Sequence, residues 1–186
     1  MAAKKSIDSW KQKKKYSIIA PESFDSKVVG ATLASDPSSL VGRTISVSVK
    51  DFMEARSKQH MMIKFKVNEV KDDKAFTQFK SFEMILGYLK SKIRKGSAKV
   101  DYIKDFTFSD NKARIKITII ASKNITAQQR KEITSRITKI FENYGQSKLD
   151  QIIQLALVGK LGTEIYHAIK GVCQIHRVEL YHITAL

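Results

Sequence analysis

The residues able to do chemistry are scattered rather than gathered. The four histidines, His60, His167, His176 and His182, show no HExxH or similar ligand spacing. With one cysteine, Cys173, a zinc site would need ligands from distant points of the chain. Cys173 follows Ala168, Ile169 and Val172 at helical spacing, which predicts a buried packing thiol rather than a nucleophile. Gly159-Lys160-Leu161-Gly162 lacks the GxxxxGK[ST] pattern of a phosphate loop and reads as one helix ending and another starting. Asp72-Asp73 and Asp101 with Asp105 are paired carboxylates at loop or strand positions, where solvation is the ordinary state. The expectation is a protein with no catalytic residue, no cofactor and no metal.

Cations are the stronger signal. Thirty-four Lys and Arg face eighteen Asp and Glu among 186 residues, a formal net charge of +16. A compact fold with so much like charge repels itself, and a polyanionic partner such as nucleic acid accounts for the excess. Residues 1–125 hold 26 basic and 13 acidic residues, whereas residues 126–186 hold 8 and 5, so the polyanion is expected against the first two thirds. No run of about 18 apolar residues could span a bilayer, and no apolar stretch follows Lys4 and Lys5. With a single cysteine, this fits a reducing cytoplasm.

The elements that must position these cations follow from periodicity. Residues 1–15 form a basic arm containing Lys11, Lys13, Lys14 and Lys15, expected to be disordered until bound, with Trp10 and Tyr16 placed to stack on bases. Residues 16–186 read as a single α+β domain. Ile45, Val47 and Val49 alternate with polar residues in a strand predicted over 43–52. Over 61–71, Ile63, Phe65 and Val67 face inward while Lys64 and Lys66 face outward. Asp110-Asn111 separates two strands, over 99–108 and 112–121. The second turns Ile115, Ile117 and Ile119 inward and Lys112, Arg114 and Lys116 outward. A helix is predicted over 81–95, with Phe82, Ile85, Leu86, Leu89 and Ile93 on its apolar face and Lys90, Lys92, Arg94 and Lys95 crowding its end. The final third is helical. Thr126 and Gln129 form a capping box, Ser147 with Asp150 starts a second helix ending near Gly159, and Thr163 caps a third running to about Cys173. Residues 177–183 could return as a strand. Strands mostly first and helices mostly last indicate the α+β class.

Over nearly its whole length the chain resembles the archaeal and eukaryotic small-subunit ribosomal protein family called S-three-A, or e-type S-one. The matching residues are Trp10 with Lys14-Lys15-Tyr16, Ala20-Pro21 with Phe24, Gly30 with Thr32, and Asp36-Pro37 leading into Leu40-Val41-Gly42-Arg43 and Lys50-Asp51-Phe52. They continue through Phe65-Lys66-Val67, Thr77-Gln78-Phe79-Lys80, Tyr88-Leu89-Lys90-Ser91 and Arg94-Lys95 to the hairpin residues Asp101, Asp105, Thr107, Asp110 and Arg114. Glu164-Ile165-Tyr166 and Ile175-His176-Arg177-Val178 close the series. The chain departs from the family at Ser46, where an acid is expected, at Asn111, which replaces the hairpin glycine, and in a weakly basic tail over 180–183.

The resemblance implies a β-barrel-like mixed sheet core flanked by helices. It also implies a place on the small-subunit platform near the messenger-RNA exit, against the 3′ region of the small-subunit rRNA and the universal protein S-eleven. Carried over onto this chain, it assigns rRNA contact to the arm residues Trp10, Lys11, Lys13, Lys14, Lys15 and Tyr16. It assigns the same to Arg43, Lys58, His60, Arg94, Lys95 and Arg114, with Arg43 also able to hold a turn and His60 to cap a strand. A free RNA-binding or regulatory module outside the ribosome is the alternative reading of the same surfaces.

Overall fold

The computed structural model describes residues 13–53 and 58–186, with the side chains of Phe52 and Met53 left aside. Trp10 and Lys11 therefore lie outside the described residues. The chain forms two compact units, Met1–Val47 with Lys64–Lys80, and Ser48–Ile63 with Ser81–Leu186. Eight strands and five α-helices are described, in the mixed α+β arrangement that the residue pattern predicts.

The first unit is built from strands. β1 (Lys14–Ile19) pairs antiparallel with β2 (Val28–Ala34), with Lys15 opposite Leu33 and Ile18 opposite Gly30. On its other side β1 pairs parallel with the first residues of β5 (Lys74–Met84), Ile18 opposite Ala75. β3 (Thr44–Ser48) pairs with β4 (Met61–Lys71), which in turn pairs with β5. Asp72-Asp73 is the turn between β4 and β5, and Asp72 takes a left-handed conformation at φ 52° that a short polar side chain tolerates. The core of this unit gathers Tyr16, Ile18, Ala34, Leu40, Val67 and Ala75. Phe24 meets Phe65 edge to face at 5.3 Å.

The second unit layers three helices on a sheet. β6 (Ala98–Thr107) and β7 (Lys112–Ala121) form the expected hairpin, and β8 (Ile175–Ala185) pairs antiparallel with β7. The last residues of β5 pair with β8 in turn, Phe82 opposite Ile183. The inward side of β7 is fully buried at Ile115, Ile117 and Ile119. α3 (Ala127–Asn143) packs against β6 and places Phe141 5.0 Å from Phe106; α5 (Lys160–Ile169) packs against β8, α3 and α4 (Leu149–Val158). The capping box of α3 is formed, Thr126 accepting from Gln129 N–H and Gln129 accepting from Thr126 N–H. Among the described residues no helix is long and apolar enough to cross a membrane.

Several expectations are corrected. The arm does not run to residue 15 before structure begins, because Lys14 and Lys15 already pair in β1. β3 stops at Ser48, whose hydroxyl accepts from Lys50 N–H and turns the chain into the short helix α1 (Val49–Met53). The helix predicted over 81–95 shrinks to α2 (Leu86–Lys92). Ser81 to Met84 stay in β5, where pairing with β8 buries Phe82 and Met84, and tertiary pairing overrides a pattern that both periods fit. Ile85 and Leu86, assigned to a buried face, are 47% and 64% exposed. α4 begins without a cap from Ser147; Asp110, in the β6–β7 loop, accepts instead from Leu149 N–H at 2.9 Å. Thr163 lies inside α5, which starts directly from Gly159 at φ 92°. Cys173 is half-buried rather than buried, and burial pushes its thiol up, away from thiolate character.

Candidate nucleic-acid interface

In the second unit, α2 organises the densest group of cations. Its last turn carries Lys90 and Lys92, and Arg94 and Lys95 follow in a turn closed by Gly96 at φ 84°. Ser97 N–H donates to the Arg94 carbonyl at 3.1 Å and Ser97 Oγ to the same oxygen at 2.6 Å, which fixes the turn. Lys92, Arg94 and Lys95 then line a cleft of about 210 Å³ with Ser97, Ser122 and His176, above Ile120 of β7. No carboxylate lines it, and Ile120 is only 1% exposed. Cations above an apolar floor act through a lower local dielectric than cations on an open face, so a phosphate is held more strongly there.

Tyr88 anchors this cluster. Its ring stacks on His60 at 3.8 Å between centroids with the planes 12° apart, and Lys92 Nζ sits 4.7 Å from the same ring. Arg177 Nη1 donates to the Tyr88 hydroxyl at 3.3 Å and pairs with Glu179 at 3.1 Å. Burial pushes the Tyr88 phenol up and Glu179 adds to this, while Arg177 opposes it, so the ring stays neutral. His60 is further tied in by its carbonyl, which accepts from Ile85 N–H at 2.9 Å.

On β7, Lys112 is exposed and Lys116 half-buried. Arg114 between them is held bidentate by Asp105, with Nε–Oδ1 at 2.7 Å and Nη2–Oδ2 at 2.9 Å. Hydrogen bonding holds the Asp105 carboxyl below its usual value and raises Arg114, and both groups stay in solvent. Arg114 is thus bound to an acid before any RNA contact. Lys58 is half-buried near the start of β4.

In the first unit, Lys13, Lys14 and Lys15 are exposed, as is Lys66, with Lys64 half-buried. Tyr16 does not fit its expected stacking role. It is 3% exposed and packs in the core, because the alternation that turns Lys15 outward turns Tyr16 inward. Arg43 donates through Nε to the Ser39 carbonyl at 2.9 Å and through Nη1 to the Leu33 carbonyl at 3.5 Å. It fastens the 3-10 turn Pro37–Leu40 to β2, with carbonyls in place of an ion pair.

The structure therefore brings Arg94 and Lys95 together with Lys92 and His176, which the sequence reading left out of the interface, and sets Tyr88 and Arg177 beside them. Lys92 carried a signal in the crowded helix end. His176 and Arg177 join only because β8 pairs with β7, with Arg177 opposite Ile120.

Among the described residues no three His, Cys, Asp or Glu side chains gather to hold a metal ion. A basic cleft free of carboxylates on an α+β sheet scaffold has the chemistry to hold an anion such as phosphate. Comparison with known proteins narrows this further. Residues 1–186 match the model of the ribosomal S3Ae family, and the chain belongs to that family, one of ribosomal proteins rather than of enzymes. It is 30% identical over 177 residues to the small ribosomal subunit protein eS1 of Methanobrevibacter smithii, covering 93% of this chain and 91% of the relative. The eS1 proteins of Haloarcula marismortui and Methanothrix thermoacetophila are each 34% identical, with 93% and 96% of this chain and 82% and 85% of the relative covered.

Proposed function

We propose that this protein is a structural constituent of the small ribosomal subunit in the cytoplasm, where it binds small-subunit rRNA. The observation that carries the proposal is the carboxylate-free cleft of Lys92, Arg94, Lys95 and His176 in a chain of the ribosomal S3Ae family. The resemblance stated above supports the finer placement. That placement is the platform near the messenger-RNA exit, against the 3′ region of the rRNA and beside the universal protein S-eleven.

In this reading Arg94 and Lys95 contact phosphates directly. Trp10, Lys11 and Lys13 reach RNA from the basic arm, and Lys14 and Lys15 reach it from the start of β1. Lys58, His60, Lys64, Lys66, Lys112 and Lys116 add contacts, while Arg43 and Arg114 first hold a turn and an ion pair. Comigration with small subunits through a high-salt sucrose gradient is the expected result. Release into the soluble fraction at modest salt would count against incorporation and favour a free RNA-binding module.

A further inference from the structure

The outer face of the second unit carries a second cleft, different in chemistry from the phosphate cleft. Across the sheet Ile103, Lys116, His182 and Glu83 lie in one row, each opposite the next in register. At this row β8 has a bulge. Lys116 pairs with His182 and Ile117 with Leu180, so Tyr181 has no partner on β7. Leu180 and Ile183 both face the core, at 7% and 0% exposure, and the two residues between them both line the outer cleft. A regular strand would send one of the pair inward. The cleft is about 340 Å³, walled by Met62, Ile85 and Leu86 and edged by Lys116, Tyr181, His182 and Glu83.

We propose that this bulge cleft receives one unpaired nucleobase of the bound RNA. The inference rests on the RNA-binding reading above and adds to it the kind of nucleotide recognised. The apolar walls and the Tyr181 ring suit the faces of a base, since base–aromatic stacking tolerates any base. Lys116 at the rim suits the adjoining phosphate, and the Glu83 carboxylate suits the amino edge of a base. Burial raises the Tyr181 phenol, and Asp101 adds to the shift against Lys99, so the ring enters the site uncharged. Ile85 and Leu86, which wall the cleft, remain 47% and 64% exposed, leaving adjoining apolar side chains in water. The charged rim of Lys116 and Glu83 around apolar walls is complementary to a base with its polar edge and phosphate rather than to an aliphatic side chain of a neighbouring protein, which favours the base. α2 runs from this cleft at Leu86 to the phosphate cleft at Lys92, so one short single strand can use both.

The test compares full-length protein on a single-stranded RNA oligonucleotide of mixed sequence and on a duplex of the same length, by fluorescence anisotropy. Tyr181→Leu is expected to weaken single-strand binding by about tenfold, to leave duplex binding unchanged, and to be rescued by Tyr181→Phe. Equal losses on both probes, or no loss on either while Arg94→Gln with Lys95→Gln weakens both, overturns the base site and leaves the RNA reading standing. If neither set of substitutions alters binding to either RNA, the RNA reading itself fails. Unaltered RNA binding by Leu86→Glu combined with lost small-subunit incorporation assigns the cleft to a protein and also overturns the proposal. Should Tyr181→Leu melt early, the wild-type chain decides the matter through a 4-thiouridine single strand. Photocrosslinks at Met62, Tyr181 or His182 support the base site, and crosslinks confined elsewhere refute it.

Discussion

The two compact units carry their cations in different company. In the first, Lys15 and Lys66 stand on the outward side of strands and Lys14 at the exposed start of β1, each surrounded by solvent. In the second, Lys92, Arg94, Lys95 and His176 converge from a helix end, a turn and a neighbouring strand onto one apolar floor. Strand alternation exposes charge, yet it spaces it along a line. Concentrating it takes a chain reversal held in place, as by Ser97 on Arg94, and a partner strand that is distant in sequence. Number of lysines and strength of a phosphate site are therefore separate properties.

The comparison can be broken at four points, in descending size of effect. Ile117→Ala, on the fully buried side of β7, is expected to cost about 2–5 kcal/mol in chemical denaturation. A loss below about 1 kcal/mol would mean that this side of the strand is not the scaffold of the second unit. Joint replacement of Lys92, Arg94 and Lys95 by Gln is expected to lower RNA affinity about ten- to a hundredfold at low salt. It should also flatten the dependence of log affinity on log salt by roughly 2. The matching replacement of Lys14, Lys15 and Lys66 should lower affinity less, and equal losses would erase the distinction between row and cleft.

Asp110→Ala removes the acceptor for Leu149 N–H and should cost about 1 kcal/mol of stability. Circular dichroism melting with Asp110→Asn as control separates the lost cap from a lost charge. Asp105→Asn is expected to change stability least, since the Asp105–Arg114 pair lies in solvent. The sign follows from the lowered Asp105 value. The pair contributes fully above the ordinary carboxylate value of 3.8 and fades as pH falls through the lower folded value. A pH-dependent melting difference between wild type and variant near neutrality would contradict this assignment.

Much of the second unit was legible because its elements are strongly periodic. The β6–β7 hairpin stands within a residue of its predicted bounds, α3 starts at its predicted cap Thr126, and Asn111 serves where a glycine was expected because it needs no positive φ. β1 and β2 were not anticipated. In β1 the exposed Lys14 and Lys15 read as a charged tail. In β2 Val28, Gly30 and Leu33 show no clean alternation, since Val28 and Leu33 remain exposed. β5 hid behind an outward Phe76 and an inward Thr77, whose hydroxyl is satisfied by the Ile19 carbonyl at 2.7 Å.

By itself the sequence determined the α+β class, the inward isoleucines of β7 and the excess of positive charge. Each follows from local spacing or from simple counting. Only the tertiary structure decided which cations meet, that Tyr16 is core, that Arg114 is occupied by Asp105, and that a β8 bulge turns Tyr181 and His182 to one side. The physical reason is that side-chain direction along a strand is local, whereas a cleft depends on which strands pair and in what register. Those pairings join residues as far apart as Tyr88 and Arg177, and no pattern within a short window records them.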